Sequence, residues 1–384
     1  MNKGKNIIAL SVIGALAPFA VACGAVPDLQ DEGIDQASDP GIEAPASVEQ
    51  AVCIDLYRYA TAFRGNNGHL WVDTNRLWKG DTGGSIVPNT SPSIAQLQGN
   101  KYVVAFQGYP NNHLWLTTGT ANSQTGQDTG LQVAPNTSPS VTRLSDAGSY
   151  AVAYQDTQNE LWIHVRYSNG SSSNVHALCS GTPCKMNPGT SPSIAAYTDG
   201  SYEVAFQSPL DANGDTLLAY YGNWWTEKSG YGMLGGTSPS IAWVSGWSDY
   251  AMAFDANTSK LWIVDDWTFE DQSNQPMASS PSIASNGSSY TVAYRRSTDS
   301  KLCSWVAWNG QGTGCTNITM KQNTSPSIAV WNQGYEIAVQ GSDGYLYYSG
   351  PMCKTGRQTA RLNNTSSPRS SRAPGNTSTS MAGV

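Results

Sequence analysis

Short runs of apolar residues, each bounded by turn residues, repeat along most of the chain. A six-residue run of the type Tyr-x-Val-Ala-Phe-Gln, as in Tyr202–Gln207, is apolar on both faces and predicts a buried β-strand. It follows a run of small residues, Thr-Ser-Pro-Ser-Ile-Ala, and precedes a Gly/Asn/Asp turn and a Leu-Trp pair. No segment past the first 25 residues has the apolar spacing of an amphipathic helix. The pattern therefore predicts an all-β protein.

The spacing of these runs predicts the fold. The residue that follows Ala in the Val-Ala-Phe run recurs seven times, 40 to 52 residues apart, at Phe63, Phe106, Tyr154, Phe206, Phe254, Tyr294 and Val339. A repeat of about 45 residues with three or four short strands is typical of a β-propeller blade. The sequence therefore predicts a seven-bladed β-propeller of four-stranded repeats. Ser-Pro-Ser-Ile-Ala is the expected innermost strand, because small residues suit the crowded centre of a ring.

The small-residue run is one copy short. Six clear copies begin at Thr90, Thr137, Thr190, Thr237, Ser279 and Thr324, and none precedes the first unit. A closed ring leaves no open strand edge, so the missing strand must come from elsewhere in the chain. The degenerate copy Thr365–Ser370 predicts a closing strand beside Tyr59–Arg64, and Val48–Val52 is the alternative. The propeller is thus assigned to 53–370 and a disordered tail to 371–384.

The N-terminus predicts export. Lys3 and Lys5 precede an apolar run over 7–21, which has the length of a signal-peptide core and is shorter than the ~20 residues of a membrane span. The run ends in small residues before Cys23, a pattern similar to a bacterial lipobox. Residues 1–23 are interpreted as a signal peptide, with Cys23 as the lipidated residue. Ordinary secretion with cleavage near this point is the alternative.

Charge and composition narrow the location and the partners. The small, acidic residues of 24–52 indicate a flexible linker between an anchor and the globular body. A net charge of −7 and a pI near 5.1 exclude the basic surface that nucleic-acid phosphates require. Membrane contact is expected only through the N-terminal lipid. The expected location is the outer membrane or the cell surface, or the exterior if the protein is secreted.

The cysteines fit an exported protein. Seven are present, and six remain when Cys23 is set aside, an even number that indicates disulfides. One close pair can staple a loop, a second pair flanks a hairpin, and the last pair lies near the two ends of the repeat array. The predicted disulfides are Cys179–Cys184, Cys303–Cys315 and Cys53–Cys353. No cysteine spacing resembles a zinc site.

Residues for catalysis or metal binding are sparse. His69 and His113 occupy the same place in two repeats, which indicates repeat geometry rather than a catalytic arrangement. Carboxylates near the ends of the second strands are interpreted as solvated turn residues, namely Asp156, Asp255, Asp299 and Asp343. We predict no catalytic residue and no cofactor except a weak calcium candidate. Its alternating oxygen ligands are Asp211, Asn213 and Asp215, and an ordinary hairpin turn explains the same residues.

Aromatic residues are the main binding candidates. Those of the Leu-Trp pairs either pack between blades or form repeated stacking platforms, and they are Trp71, Trp115, Trp162 and Trp262. A second, less regular group lies among polar residues and is expected to be partly exposed, so that its flat faces can stack on sugar rings. These carbohydrate-binding candidates are Trp78, Trp224, Trp225, Trp267, Trp305 and Trp308, with His69 and His113.

The order Ala-Phe-Gln, turn, Leu-Trp, Trp-bearing strand, Gly and Ser-Pro over residues 53–370 resembles the PLL-type seven-bladed propeller lectins. It is also similar to tectonin-like and tachylectin-like repeats. The resemblance lies in the repeat layout, and it implies binding of fucosylated or methylated sugars between blades or on one rim. Glycans or glycoconjugates are then the partners, bound at several weak sites that gain avidity together.

Two other functions remain open at this point. One is a protein-interaction scaffold of the cell envelope. The other is a propeller glycoside hydrolase or lyase, which would need clustered carboxylates at one mouth of the channel. The sequence does not indicate the sugar, the number of working pockets or the oligomeric state.

Overall fold

The computed structural model describes thirty β-strands within residues 59–74, 78–99, 101–120, 123–222, 226–265, 268–270, 275–307, 314–331, 334–350, 358–361 and 380–383. In these ranges no helix is long and apolar enough to cross a membrane. Most of the strands form seven antiparallel sheets of four strands each. The predicted all-β, seven-bladed propeller is confirmed.

Each blade runs from an innermost strand at the ring centre to an outer strand, and blades are numbered by their second strands. The innermost strands of blades 2 to 7 and then blade 1 are Ser93–Leu97, Ser140–Arg143, Ser193–Ala196, Ser240–Val244, Ser282–Ser285, Ser327–Trp331 and Ser380–Gly383. The second strands of blades 1 to 7 are Tyr59–Arg64, Lys101–Gly108, Tyr150–Gln155, Tyr202–Gln207, Asp249–Asp255, Tyr290–Arg295 and Gly334–Gln340.

The outer half of each blade follows the same order. The third strands of blades 1 to 7 are His69–Thr74, His113–Thr120, Leu161–Arg166, Thr216–Gly222, Leu261–Asp265, Lys301–Val306 and Leu346–Gly350. The outer strands are Trp78–Ser85, Ser123–Gln132, Ser172–His176, Thr226–Met233, Thr268–Glu270, Gly314–Thr319 and Gln358–Arg361. A separate two-stranded hairpin after blade 3 consists of Leu178–Cys179 and Thr182–Pro183.

The innermost strands form a closed ring in which each contacts the next. Serine hydroxyls hold neighbouring blades together there: Ser138 Oγ accepts the backbone N–H of Ser91 at 2.8 Å, and Ser93 Oγ accepts that of Val141 at 3.0 Å. Equivalent bonds continue around the ring to blade 7. An innermost strand is a sheet edge whose N–H groups need partners. The two serines of the repeated motif supply those partners.

The closing strand of blade 1 is Ser380–Gly383, which pairs antiparallel with Tyr59–Arg64. Ser380 lies opposite Ala62, as Ser93 lies opposite Ala105 in blade 2. Closure by strands from both ends of the chain is therefore confirmed. The predicted segment was wrong, because this position is not filled by Thr365–Ser370 or by Val48–Val52, both of which lie outside the described residues.

The sequence contains the reason for this correction. Residues 376–382 read Asn-Thr-Ser-Thr-Ser-Met-Ala, which matches Asn-Thr-Ser-Pro-Ser-Ile-Ala at 89–95 except for Thr379 and Met381. A search anchored on proline misses this copy and selects Pro368, where the following residue is the bulky Arg369. The segment assigned to a disordered tail, 371–384, thus contains the seventh innermost strand.

The core lies between blades. In blade 2 the second strand is buried from Tyr102 to Gly108, and Phe106 packs with Leu70 and Val72 of blade 1. Burying one such side chain stabilises the fold by roughly 1.5–3 kcal/mol. The tryptophans of the Leu-Trp pairs are partly buried against these clusters, which supports their packing role.

Glutamine closes the seam between several neighbouring blades. The side-chain amide of Gln107 donates to the backbone carbonyls of Val133 and Ala134 at 3.1 and 3.2 Å, and Gln155 and Gln207 make equivalent bonds. In blade 5 the same position holds Asp255, which is fully buried. Neither carboxylate oxygen has a partner in the described part of the chain, and burial raises the pKa of Asp255 to about 7. The prediction that Asp255 is a solvated turn residue was wrong.

Two of the predicted disulfides are confirmed. Cys179–Cys184 closes the small hairpin after blade 3, and Cys303–Cys315 joins the third and outer strands of blade 6. Cys53, Cys353 and Cys23 lie outside the described residues, so the third pairing and the lipidation site stay predictions.

Candidate functional site

A tyrosine begins the regular part of the second strand in each blade. It lies four residues before the Phe position of the repeat, at Tyr59, Tyr102, Tyr150, Tyr202, Tyr250, Tyr290 and Tyr335. In two seams its hydroxyl reaches the third strand of the preceding blade. Tyr290 donates to Asp265 Oδ2 at 2.6 Å, and the hydroxyl of Tyr335 lies 3.3 Å from that of Ser304. This row of tyrosines marks the seam mouths on the face that carries the loops between innermost and second strands.

Blade 5 adds two tryptophans to this face. Trp243 lies in the innermost strand Ser240–Val244, directly opposite Tyr250 of the second strand. The two rings meet edge to face with centroids 4.9 Å apart. Tyr197 of blade 4 makes a second edge contact with Trp243 at 4.2 Å. Such contacts fix ring orientation and add about 0.5–1.5 kcal/mol per pair beyond the area buried. All three side chains remain partly exposed.

The row continues into blade 6. Trp247 is 40% exposed and meets Tyr290 edge to face at 5.5 Å. Tyr290 in turn stacks on Trp305 at 5.6 Å. Together Tyr197, Trp243, Trp247, Tyr250, Tyr290 and Trp305 form what we call the aromatic surface of blades 4 to 6.

Carboxylates accompany the aromatic surface. Burial and, after it, the negative charge of Asp249 raise the pKa of Glu203 to about 7. Burial is also the largest cause of the raised pKa of Tyr250, and the carboxylates of Glu203 and Asp199 add to it. Asp265 accepts the Tyr290 hydroxyl, as described above. The surface therefore combines flat apolar faces with hydrogen-bond acceptors and negative charge.

Of the six predicted tryptophans, the structure describes the side chain of Trp305 and the backbone of Trp78. Trp305 belongs to the aromatic surface. The backbone of Trp78 lies in the outer strand of blade 1. Trp224, Trp225, Trp267 and Trp308 lie outside the described residues, so their binding role stays a prediction.

His69 lies on the opposite face, in a polar cluster at the turn between second and third strands. Its Nδ1 is 2.9 Å from Asp81 Oδ2, and Asn67 donates to the same oxygen at 2.6 Å. The indole N–H of Trp71 donates to Asn67 Oδ1 at 3.2 Å. Burial opposes ionisation of Asp81, but bonds from the backbone N–H of Gly83, from His69 and from Asn67 lower its pKa.

Blade 2 repeats this cluster. His113 Nδ1 lies 3.0 Å from Asp128, Asn111 donates to Asp128 at 2.9 Å, and Trp115 donates to Asn111 at 3.4 Å. A carboxylate only accepts hydrogen bonds, so Nδ1 carries the proton in both pairs. Each cluster thus fixes its turn and one Trp, which agrees with repeat geometry. The structure does not bring either histidine to the aromatic surface.

A small cleft lies between blades 6 and 7. Hydroxyls of Ser304, Thr316, Tyr335 and Ser349 line it above Ile337, with Leu302, Cys303 and Gly350 completing its wall. This lining carries no charged side chain among the described residues. It offers hydrogen bonds to a neutral polar group.

The calcium candidate forms a turn in blade 4. Asp211 Oδ1 accepts the backbone N–H groups of Asn213 and Asp215 at 2.8 and 3.0 Å, so this oxygen caps the hairpin. No group of three or more His, Cys, Asp or Glu side chains is placed to hold a metal ion within the described ranges. Calcium binding at Asp211, Asn213 and Asp215 stays a prediction.

The sequence reasoning missed five members of the aromatic surface, among them the buried repeat residue Tyr290. Trp243 lies in the innermost strand of blade 5, which was treated as structural, and Tyr197 and Trp247 lie in the loops after innermost strands. A signal was present, because the small-residue motif is followed by Trp243-Val-Ser-Gly-Trp247 in blade 5 and by smaller or aliphatic residues in most other blades. Tyr250 belongs to the repeat itself and gains its role only from the neighbouring rings.

Neither the protein-family models nor the curated proteins gave a match to this chain. Several solved structures are similar to it in fold. A mutant of the Aleuria aurantia lectin in complex with Fucα1-6GlcNAc has a TM-score of 0.51 and 15% identity, covering 72% of this chain and 97% of that one. The same lectin mutant with α-methyl-L-fucoside gives 0.51 and 13%, covering 72% and 96%.

A further similar structure is AofleA from Arthrobotrys oligospora, with a TM-score of 0.53 and 13% identity. It covers 77% of this chain and 90% of that one. Identities this low establish a shared architecture rather than a shared ligand. The chain therefore has the fold of these propeller proteins, and the PLL or tectonin type stays a prediction.

Proposed function

We propose that this protein is a carbohydrate-binding propeller of lectin type that recognises glycans or glycoconjugates. The aromatic surface of blades 4 to 6 is the observation that carries the proposal. It places the exposed face of Trp247 and the partly exposed Trp305 beside hydrogen-bond acceptors such as Asp265. Aromatic faces stack on the C–H faces of sugars while carboxylates accept hydroxyl hydrogens.

The structural similarity supports the same function. Two of the similar structures are of a lectin holding fucose-containing or fucose-derived ligands. By analogy we propose fucosylated or methylated glycans as first ligands to test. The role is binding rather than catalysis, and weak sites at several seams would act together on a multivalent glycan.

We further propose that the protein works outside the cytoplasm. The lysines and apolar run before Cys23 support export, and Cys23 supports a lipid anchor followed by the acidic linker of 24–52. Held in this way, the ring could display its aromatic surface to glycans on other cells or polymers.

A glycan array with the mature protein tests the function. We expect binding to at least one glycan class, and Trp247→Ala should weaken it by about tenfold, because stacking is lost. Tyr109→Ala is the matched control, since Tyr109 is 61% exposed and lies on the opposite face. Absence of binding to any glycan, together with specific capture of an envelope protein, would replace the proposal with the scaffold function.

A further inference from the structure

Glu203 lies at the edge of the aromatic surface, where nothing in the described part of the chain stabilises the negative charge of its carboxylate. It follows Tyr202 in the second strand of blade 4 and is partly exposed. Burial and the charge of Asp249 both oppose its ionisation. In the described part of the chain no hydrogen bond or cation offsets these effects on Glu203. An acid in such a place destabilises the fold, unless a ligand compensates it.

Several other carboxylates in the described part of the chain have cationic partners. Asp81 pairs with His69 at 2.9 Å, and Glu160 pairs with Lys185 at 2.6 Å. Asp299 pairs with Arg296. Glu203 shares its lack of compensation with the buried Asp255 of blade 5, but Glu203 lies beside the aromatic surface at the seam between blades 4 and 5.

The aromatic rings at this seam point independently to a ligand. Trp243 contacts both Tyr197 and Tyr250, and the three rings leave part of their surface exposed. The indole N–H of Trp243 is buried and has no hydrogen-bond acceptor among the described residues. Ring faces attract cations as well as the C–H faces of sugars. The seam mouth thus offers ring faces and a negative charge to one occupant.

We propose that the seam mouth between blades 4 and 5 binds an amino sugar with a free, protonated amine, with Glu203 as its counter-ion. Trp243 and Tyr250 provide the surface against which the sugar ring rests. An N-acetylated sugar would leave the carboxylate unpaired, and an anionic sugar would be repelled by it. The inference rests on the proposed carbohydrate-binding function and specifies the class of sugar at this seam.

Calorimetric titration of the full chain at neutral pH tests the inference. The ligands are a glucosamine tetramer with free amines, the N-acetylated tetramer of the same length and a plain aliphatic diamine. We expect the free-amine tetramer to bind about tenfold more tightly than the other two. Glu203→Gln should abolish this preference without lowering the melting temperature, because the substitution keeps the shape and removes an unfavourable charge. Glu336→Gln, the equivalent change in blade 7, is the control and should retain the preference.

The outcomes separate this inference from the proposed function. Equal affinity for both tetramers, or a preference that survives Glu203→Gln, overturns it. Equal binding of the aliphatic diamine overturns the assignment to a sugar. Binding of neutral glycans with no effect of a free amine leaves the proposed function standing and removes the inference, whereas absence of binding to every sugar removes both.

Discussion

The seams after blade 2 and after blade 5 have the same construction but end in different residues. After blade 2, the side-chain N–H of Gln107 donates to the backbone carbonyls of Val133 and Ala134, in the segment that leads into blade 3, while the side-chain oxygen of Gln107 has no partner among the described residues. After blade 5, Asp255 occupies the equivalent position with no partner among the described residues. Blade 5 also supplies Trp243 and Trp247 to the aromatic surface. Blade 5 therefore combines an unpartnered acid at the seam with the tryptophans of the aromatic surface.

This difference teaches how a repeat protein separates stability from function. A residue found in most blades serves the contact that all blades share, as Gln107 and the serines of the innermost strands do. Asp255 departs from the repeat, and in the described part of the chain it gains no contact that offsets its burial. Such positions indicate where binding has replaced regularity, which is the usual pattern for functional sites in otherwise consistent folds.

The largest expected effect concerns ring closure. Deleting residues 380–384 removes the innermost strand of blade 1 and exposes the edge of Tyr59–Arg64. We expect a loss of about 5 kcal/mol or more, because a whole strand and its pairing with Tyr59–Arg64 are removed. Chemical denaturation measures it. Deleting 365–370, the segment first predicted to close the ring, is the comparison, and an equal loss there would contradict the assignment.

The second prediction transfers the blade 5 residue into a regular seam. Gln107→Asp should lower the free energy of unfolding at pH 8 by about 2–3 kcal/mol, because two buried carbonyls lose their donor and a charge is buried. Gln107→Glu keeps the length and serves as the control for shape. An unchanged unfolding midpoint for Gln107→Asp would show that the amide bonds contribute nothing to the seam.

The reverse exchange should stabilise the protein. Asp255 has a pKa of about 7 in the fold against an ordinary value of 3.8, so the folded state holds its proton more tightly. Its contribution is therefore favourable at low pH and is lost as the pH rises towards 7. Asp255→Asn should raise the free energy of unfolding by about 1–2 kcal/mol at pH 8 and by less at about pH 4. A pH-independent difference would refute this account.

The smallest stability effects concern the serine bonds and the aromatic surface. Ser93→Ala removes the acceptor of the Val141 N–H and should cost about 1 kcal/mol, measured by denaturation. Trp247→Ala should cost about 1 kcal/mol, because the side chain is 40% exposed and loses mainly its edge contact with Tyr290. A large loss for Trp247→Ala would mean that this residue belongs to the core rather than to a binding surface.

The sequence was sufficient for the fold because the repeat appears in residues that pack in every blade. Val-Ala-Phe, Leu-Trp and the small-residue motif predicted seven blades, and the cysteine positions predicted three disulfides, of which two are confirmed. The closing strand was misplaced because proline was used as the marker, although Ser380 and Ala382 are what the crowded ring centre requires. Proline at that position is tolerated rather than necessary.

The site was harder to predict because it depends on neighbours in space. Aspartate is a common turn residue, and only the packing of blade 5 in the structure shows that Asp255 is buried. Trp305 was identified by its polar surroundings, whereas Trp243 and Trp247 become significant only when Tyr197 and Tyr290 are brought beside them. Such contacts join different repeats, and no spacing within one repeat reveals them.

The pairing of Tyr59–Arg64 with Ser380–Gly383 also constrains how the protein can be made. Tyr59–Arg64 can pair with Ser380–Gly383 only after the latter has been synthesised, so the ring cannot close before that point of translation. Until then the edge of Tyr59–Arg64 is open to strands from other copies, a known route to aggregation. Partial chains are therefore expected to need protection by chaperones. The risk of aggregation through this edge ends once Ser380–Gly383 has paired with Tyr59–Arg64.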